Sequence, residues 1–342
     1  MKVGFVGCSH LGICSAAAAA EKNFDVVCFD FNKSIITNLN NGIIDFYEPK
    51  LKKIIRKNKK KILFSSNIKD LNLCKIIFIS QDTLTNKKNK SDFSSLKRLI
   101  NKVINKINKN ITVVIMSQAY PGFTETIKWN KDKLFYLVET LIFGKAIKRA
   151  LKPEQIIIGC KIENNKFKKN RYLESYAMKF TKNINYVHYK SAELAKIAIN
   201  LYLISSITFT NMLSEYCEKV KINWPDTEKI LRNDKRIGKS SYISSSLGVT
   251  SGNLLRDLNN AKTFLKSSHC DYKLIEIWEK RSKERKNWLI NLIKKKSKPR
   301  HRVGIFGIPY KENTTTLKNS LTLEILEKYK KKKFNIYDPK IK

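Results

Sequence analysis

The chain has few acidic residues and few histidines for its length. Its 342 residues include 29 Asp and Glu against 68 Lys and Arg, and the four His are scattered, without metal-ligand spacing. The seven cysteines contain no CxxC pair. No apolar run reaches the roughly 18–20 residues that a membrane span needs. These absences predict a protein with no metal site, no disulfide framework and no membrane partner.

The formal net charge of +39 favours an anionic partner. However, only 11 of the 68 basic residues are Arg, and Lys is spread through most segments, for example KLKKIIRKNKKK at 50–61. Nucleic-acid-binding proteins usually rely on Arg forks and aromatic stacking platforms. Lys in solvated positions of a Lys-, Asn- and Ile-rich chain explains the charge better. Nucleic acid is therefore not an expected partner, and polyanion binding stays open as the weaker alternative.

Length and cysteine usage bound the class of protein. A chain of 342 residues predicts two or three domains. Several cysteines lie inside apolar runs, where a free thiol behaves as a small hydrophobic group. We therefore expect a cytoplasmic protein.

The opening stretch MKVGFVGCSHLGICSAAAAAEKNFDVVCFD resembles either a secretion signal or a nucleotide-binding unit. Gly, Ser and His interrupt the apolar run at 7–12, which argues against a signal peptide. Strand, glycine turn, small-residue helix and a second strand ending in Asp30 form the pattern of a dinucleotide-binding βαβ unit. The alternative is a unit of the same shape that binds no nucleotide.

The turn Gly7-Cys8-Ser9-His10-Leu11-Gly12 fits G-x-G-x-x-G except that Ser9 takes the middle glycine position. Gly7 supports the tight turn, and Gly12 allows close packing of helix on strand. Asp30 is placed to accept from both ribose hydroxyls, which favours NAD over NADP. The predicted cofactor-binding residues are Gly7, Ser9, His10, Leu11, Gly12, Asp30 and Thr83.

Strand and helix patterns alternate further along the chain. They predict an α/β fold with a doubly wound parallel sheet over residues 1–185, including a helix that starts at PGFTETIKW (121–129). A long helix apolar on most faces follows from 191 to about 221, then further helices, which we group as a central domain of residues 186–295. Residues 300–342 read as a second Rossmann-like start with only two strands, hence a partial C-terminal domain.

The order of several segments resembles the UDP-glucose/GDP-mannose dehydrogenase family over essentially the whole chain. The segments that carry the resemblance are IIDFYEPKLKKII (43–55), KPEQIIIG (152–159), SAELAKIAINLYL (191–203), RIGKSSYISSSLGVTSGNLLRDL (236–258) and GIPYKENTTTLKNS (307–320). The resemblance implies NAD-dependent oxidation of a nucleotide-sugar alcohol, with a UDP-sugar as the expected substrate. It also implies a homodimer formed through the 191–221 helix.

The resemblance implies catalytic roles for residues that match the family's motifs. Lys196 and Asn200 stand where family members stabilise oxyanions, Asp257 where an Asp assists proton transfer, and Glu139 where the first acid of a loop lies. Substrate-binding roles fall on Arg256, Lys311 and Lys318.

Three positions depart from the family pattern. Asn253 stands in place of the catalytic Cys, Phe143 in place of a second acid, and Gln118 in place of a Thr. An amide cannot act as a thiolate nucleophile, so we expect an altered second oxidation step. Asn253 and Gln118 either contact substrate or remain in an inactive site. The competing hypothesis is a non-catalytic protein that binds NAD or a nucleotide sugar and keeps the fold.

Overall fold

The computed structural model describes the chain except for residues 87–88, 299–300, 310–313, 316, 318, 330–332 and 342. The described residues divide into two compact units. The first contains residues 1–86 and 91–196, and the second contains residues 87–90 and 197–342.

Buried strands of four or five residues build the main sheet of the first unit. Its strands are β1 (Lys2–Val6), β2 (Asp25–Phe29), β3 (Ile62–Ser65), β4 (Ile76–Ile79), β5 (Thr112–Ile115), β6 (Leu134–Leu137), β7 (Ile156–Cys160) and β10 (Ile184–His188). A two-stranded hairpin, β8 (Ile162–Glu163) and β9 (Lys166–Phe167), separates the last two. Among the described residues the sheet order is β10-β7-β6-β5-β4-β1-β2-β3. Near-continuous apolar runs form these strands because helices cover both faces.

Helices pack on both faces of this sheet. They are α1 (His10–Glu21), α2 (Lys33–Asn40), α3 (Leu51–Lys57), α4 (Phe93–Ile104), α5 (Ala146–Leu151), α6 (Arg171–Met178) and the start of α7 (Tyr189–Val220). The run Ala16–Ala20 of α1 is buried, since its small side chains let the helix lie close to the strands. The predicted α/β fold class is confirmed.

The direction of the last two strands corrects the prediction of a wholly parallel sheet. Strands β1 to β6 are parallel, but β7 pairs antiparallel with β6, and β10 follows the direction of β7. The connection of residues 138–155 contains only the six-residue helix α5. This connection does not cross back over the sheet, so β7 begins at the same edge of the sheet at which β6 ends.

The helix predicted to start at Pro121 is wrong. The structure has only a 3₁₀ turn, Thr124–Thr126. The fully buried carboxylate of Glu193 accepts hydrogen bonds from the amides of Gly122 and Thr124 and from the Thr124 hydroxyl. These bonds fix the segment in a turn conformation.

Helices α7, α8 (Trp224–Asn233), α9 (Gly252–Ser267) and α10 (Lys273–Lys296) dominate the second unit. Ile197 and Ile204 of α7 are fully buried against Leu258 and Ala261 of α9. The C-terminal segment forms β11 (Val303–Phe306), α11 (Leu321–Lys328) and β12 (Phe334–Tyr337), a two-stranded parallel sheet with one helix. This small sheet buries its apolar face with the help of α10.

Helix α7 is long and apolar enough in composition to cross a membrane, which the sequence analysis did not predict. Core helices of soluble proteins share this property. Ile197 and Ile204 bury part of α7 against the second unit's core, and 28% of its apolar window is buried.

Candidate active site at the carboxyl edge of the sheet

Most of the predicted site residues of the first unit follow the ends of parallel strands. The turn 7–12 follows β1, Asp30 follows β2, Thr83 follows β4, Gln118 follows β5 and Glu139 follows β6. The carboxyl ends of parallel strands meet at one edge, and the strand order reverses between β1 and β4. Such a switch point is where open α/β sheets bind ligands.

The turn after β1 needs glycine at two positions. Gly7 has a φ of +96°, and a Cβ there would lie 2.6 Å from Oε1 of Gln81. A Cβ on Gly12 would lie 1.9 Å from the carbonyl oxygen of Gly7. Helix α1 therefore packs against the turn at a distance that only glycine permits.

Ser9 holds this turn against the end of β4. Its Oγ donates to the carbonyl of Ser80 at 3.1 Å and accepts from the amide of Asp82 at 3.0 Å. The hydroxyl makes no capping hydrogen bond to α1. The first amides of α1, at His10, Leu11 and Gly12, are thus left without a side-chain cap, which suits a pyrophosphate at the helix N-terminus.

Asp30 links the second strand to the same turn. Its Oδ2 accepts from the amide of Cys8, and its Oδ1 accepts from the amide of Asn32, each at 2.9 Å. Each carboxylate oxygen still has acceptor capacity for a ribose hydroxyl. The turn, the uncapped helix and this acid together fit a dinucleotide.

His10 contacts a loop that the sequence analysis did not connect with it. Its Nε2 lies 3.0 Å from Oε2 of Glu48, and its ring stacks on Phe143 with 4.0 Å between centroids. Glu48 also accepts from the amides of Gly144 and Ala146, both at 2.8 Å. Phe143 thus packs flat on a cofactor-loop residue. His10 and Glu48 are 38 residues apart, and no sequence pattern connects residues at that separation, so the pair could not be predicted.

Gln118 is buried with an unsatisfied polar atom. Its side chain is only 5% exposed, and its Oε1 has no hydrogen-bond partner in the described structure. Its backbone carbonyl accepts from the Thr83 hydroxyl at 2.7 Å. A buried unpaired acceptor is costly, and this one lies at the carboxyl edge, where it is open to a hydrogen-bond donor.

Lys196 reaches the carboxyl edge from α7. This helix begins beside the start of β6, where the Tyr189 hydroxyl donates to the carbonyl of Leu134 at 2.7 Å. Two turns later the Lys196 ammonium donates to the backbone carbonyl of Glu139. Burial raises the pKa of the Glu139 carboxyl, and the Lys196 cation opposes this rise.

Asn200 and Asp257 lie in the second unit. The fully buried carboxylate of Asp257 accepts from the amide of Asn200 and, at 3.0 Å, from Nε of Arg256. Asn253 lies one turn before Asp257, in the first turn of α9, and is half-buried. Lys311 and Lys318 fall outside the described residues.

Five of the seven cysteine thiols, all in the first unit, are buried and have a raised pKa. Burial raises the pKa of the Cys8, Cys14 and Cys28 thiols, that of Cys74 to about 12 and that of Cys160 to about 11. At neutral pH such thiols stay protonated and are poor nucleophiles. The described residues also contain no group of three or more His, Cys, Asp or Glu able to hold a metal ion.

Two family models match this chain. The NAD binding domain of the UDP-glucose/GDP-mannose dehydrogenase family matches residues 1–178, and the central domain of that family matches residues 190–283. The chain belongs to this family. It is an oxidoreductase of the NAD-dependent nucleotide-sugar dehydrogenases, and residues 1–178 are its NAD-binding domain.

Curated relatives of this dehydrogenase cover most of its length. It is 28% identical to the UDP-glucose 6-dehydrogenase of Campylobacter jejuni over 352 residues, which span 100% of this chain and 88% of that protein. It is 26% identical to the UDP-glucose 6-dehydrogenase of Rickettsia bellii, over 96% of this chain and 78% of that protein.

Solved structures share its fold. A UDP-glucose dehydrogenase from Pyrobaculum islandicum matches with a TM-score of 0.89 at 20% identity, covering 99% of this chain and 82% of that one. A UDP-D-ManNAc dehydrogenase from Pyrococcus horikoshii matches with a TM-score of 0.84 at 21% identity, covering 100% and 84%. At these identities the likeness concerns the fold alone.

Proposed function

We propose that this dehydrogenase oxidises the primary alcohol of a UDP-sugar to the aldehyde, and that the second oxidation step of the family is altered. The curated relatives named above are UDP-glucose 6-dehydrogenases, which supports the substrate class. The observation that carries the altered step is the Asn at position 253, together with five buried cysteines of the first unit whose thiol pKa is raised by burial. A covalent thiohemiacetal needs a thiolate that neither provides.

The residues at the carboxyl edge would hold NAD, which accepts the hydride when bound. The uncapped amides of α1 would bind the pyrophosphate, and Asp30 would accept from the ribose hydroxyls. The side-chain oxygen of Gln118 would accept a hydrogen bond from one of the bound ligands. Gly7 and Gly12 keep the turn close enough for this contact. We assign Thr83 to the support of the Gln118 backbone.

The alcohol must lose a hydride from carbon and a proton from oxygen. In this proposal the Lys196 ammonium and the Asn200 amide stabilise the developing alkoxide, as oxyanion donors do. The carboxylate of Asp257, held by Asn200 and Arg256, takes the proton. Glu139 lies beside Lys196, whose cation opposes the burial-induced rise of the Glu139 pKa, and Asn253, Arg256, Lys311 and Lys318 bind the nucleotide sugar.

Phe143 supports the altered second step. Where the family pattern has a second acid, this chain has a phenyl ring stacked on His10. A phenyl ring cannot activate a hydrolytic water, so the step from aldehyde to acid lacks both a nucleophile and this carboxylate.

The test is turnover of purified protein with NAD and a panel of UDP- and GDP-sugars, with NADH and trapped aldehyde both measured. We expect NADH and aldehyde in equal amounts, one of each per sugar consumed. Two NADH per sugar and no aldehyde would refute the altered step. NAD and nucleotide-sugar binding without any NADH would instead support the competing function, a non-catalytic binding protein, which the unpaired Gln118 acceptor and Asn253 favour.

We further propose a cytoplasmic homodimer formed through α7. Tyr202, Phe209 and Tyr216 are seven residues apart, so they share one helix face, and they are 73%, 57% and 59% exposed. Such an apolar stripe is typical of an interaction surface. In this proposal residues 186–295 are a central dimerisation domain, and residues 300–342 contribute to nucleotide-sugar binding.

A further inference from the structure

A cavity of about 380 Å³ lies in the first unit, between the end of α2, helix α3 and the start of β3. Helix α2 follows β2 and returns along the sheet, so its last turn lies at the edge where the parallel strands begin. β3 also begins there, at Ile62. The cavity is therefore at the edge opposite to the cofactor turn, and none of the site residues described above lines it.

The floor of the cavity is apolar. Five side chains form it: Leu39, Ile44, Ile55, Ile62 and Phe64. All except Leu39 are half-buried rather than fully covered, so part of each apolar surface faces the cavity. A planar or aliphatic group placed there would remove this surface from water.

The mouth of the cavity is cationic. Lys52, Arg56 and Lys59 line it, and their spacing of four and three residues places them on one face of α3 and its 3₁₀ extension. None of the three forms an ion pair or a side-chain hydrogen bond within the described structure, whereas the neighbouring Lys57 pairs with Glu21 at 2.6 Å. No carboxylate is among the described residues that line the cavity.

We propose that this cavity binds a nucleoside phosphate, with the base on the apolar floor and the phosphate on Lys52, Arg56 and Lys59. Arg and Lys side chains are the usual phosphate partners in proteins. The rim also carries the amides of Asn40 and Asn41, which offer both donors and acceptors to the edge of a base. The volume lies within the roughly 300–1,000 Å³ of small-molecule sites. This site gives a role to Lys52, Arg56 and Lys59 of the basic segment 50–61, whereas its other lysines do not line the cavity.

The test is calorimetric titration of AMP and of UMP into the full chain, with NAD present at the concentration that fills the cofactor crevice. The cavity variant is Arg56→Glu/Lys59→Glu. The control is Lys97→Glu/Lys106→Glu, which makes the same charge change at two exposed residues, one in α4 and one just after it. Neither forms an ion pair or a side-chain hydrogen bond with the residues that the structure describes. We expect at least one mononucleotide to bind the unaltered protein and the control equally, and the cavity variant at least ten-fold more weakly. Inorganic phosphate and ribose 5-phosphate, which lack the base, should bind at least ten-fold more weakly than that mononucleotide.

Three outcomes would overturn the proposal. The first is no mononucleotide binding by the NAD-filled protein, and the second is binding that the cavity variant leaves unchanged. The third is binding of dodecyl phosphate, phosphatidylglycerol vesicles or an RNA oligonucleotide without binding of AMP or UMP, which would assign the surface to another partner. None of these readouts requires turnover, so the result is independent of the dehydrogenase activity proposed above.

Discussion

The carboxylate of Glu48 connects its own loop to two other segments of the first unit, the start of α1, where it contacts His10, and the start of α5. Its carboxylate lies 3.0 Å from the imidazole of His10 at the start of α1, and it also accepts two amides at the start of α5, from Gly144 and Ala146. The carboxylate is buried, so all its partners are in protein. The pair therefore fixes the loop that carries Glu139 and Phe143 against the cofactor turn.

Replacing Glu48 by Gln should destabilise the first unit. One carboxylate oxygen becomes an NH₂ group that faces a backbone amide, which leaves buried donors unpaired at about 1–3 kcal/mol. Urea unfolding followed by circular dichroism measures the effect. Asp45→Asn, an exposed carboxylate three residues away, is the control and should be neutral. Equal unfolding of both variants would show that the Glu48 contacts do not stabilise the fold.

Lys196→Met should reduce kcat by about 10²–10³-fold, the usual effect of removing one oxyanion donor. NAD affinity should change little, because the predicted cofactor contacts are made by other residues. Steady-state kinetics and NAD titration separate the two effects. Lys219→Met, at an exposed position of the same helix, should retain full activity. A Lys196 variant with unchanged kcat would remove this residue from the mechanism.

Gly12→Ala should impair both folding and NAD binding. The added methyl would lie 1.9 Å from the carbonyl oxygen of Gly7, so helix and turn must separate. Overpacking of this kind costs about 1–3 kcal/mol. Gly304→Ala is the matched control, since its Cβ would meet nothing within 4 Å. Thermal unfolding with and without NAD tests the prediction, and an NAD-induced stabilisation of Gly12→Ala equal to that of the unaltered protein would contradict it.

Glu139→Gln should change how stability depends on pH. Burial raises the pKa of Glu139 above its ordinary 4.5 in the folded state. Between pH 4.5 and the raised pKa, the Glu139 carboxyl has lost its proton in the unfolded chain but keeps it in the folded chain. The free energy of unfolding of the unaltered protein therefore falls as pH rises through this range. The variant lacks this effect. The free energy of unfolding of Glu139→Gln, relative to that of the unaltered protein, should therefore increase above pH 4.5 and become constant above the raised pKa.

Urea unfolding of Glu139→Gln between acid and neutral pH checks that sign. Asp45→Asn should show no such trend. A stability difference that is the same at every pH would mean that the Glu139 pKa is alike in the folded and unfolded chains.

Phe209→Glu should produce monomers if α7 forms the dimer. A carboxylate in the centre of the exposed stripe between Tyr202 and Tyr216 would have to be buried without a partner. Analytical ultracentrifugation at several concentrations measures the mass. Lys229→Glu on α8 should leave the dimer intact. An unaltered protein that is monomeric at every concentration would end the dimer proposal.

Elements with a strong local pattern could be predicted from the sequence. The turn at Gly7 and Gly12 and its flanking strands were predicted because buried strands are continuous apolar runs and the turn requires glycine. The long apolar helix was predicted within two residues at its N-terminus, since its pattern extends over many turns. Lys196 and Asn200 were identified by the resemblance of residues 191–203 to a family motif, and their catalytic roles stay a prediction.

Features that depend on distant contacts could not be predicted. The direction of β7 follows from how residues 138–155 pass over the edge of the sheet, and local hydrophobicity does not encode this path. Glu193 prevents a helix after Pro121 by binding amides about 70 residues earlier in the chain. The stacking of Phe143 on His10 likewise joins residues that no short window contains.

Helix α7 begins beside the first residue of β6. Lys196, further along this helix, donates to the carbonyl of Glu139, which lies just after the last residue of β6. The number of residues between these two contacts is therefore set by the length of one strand. A single-residue insertion after Tyr189 would turn every later side chain of the helix by about 100° and advance it by about 1.5 Å. Insertions and deletions should accordingly be tolerated in the loops of this protein but not between residues 189 and 196.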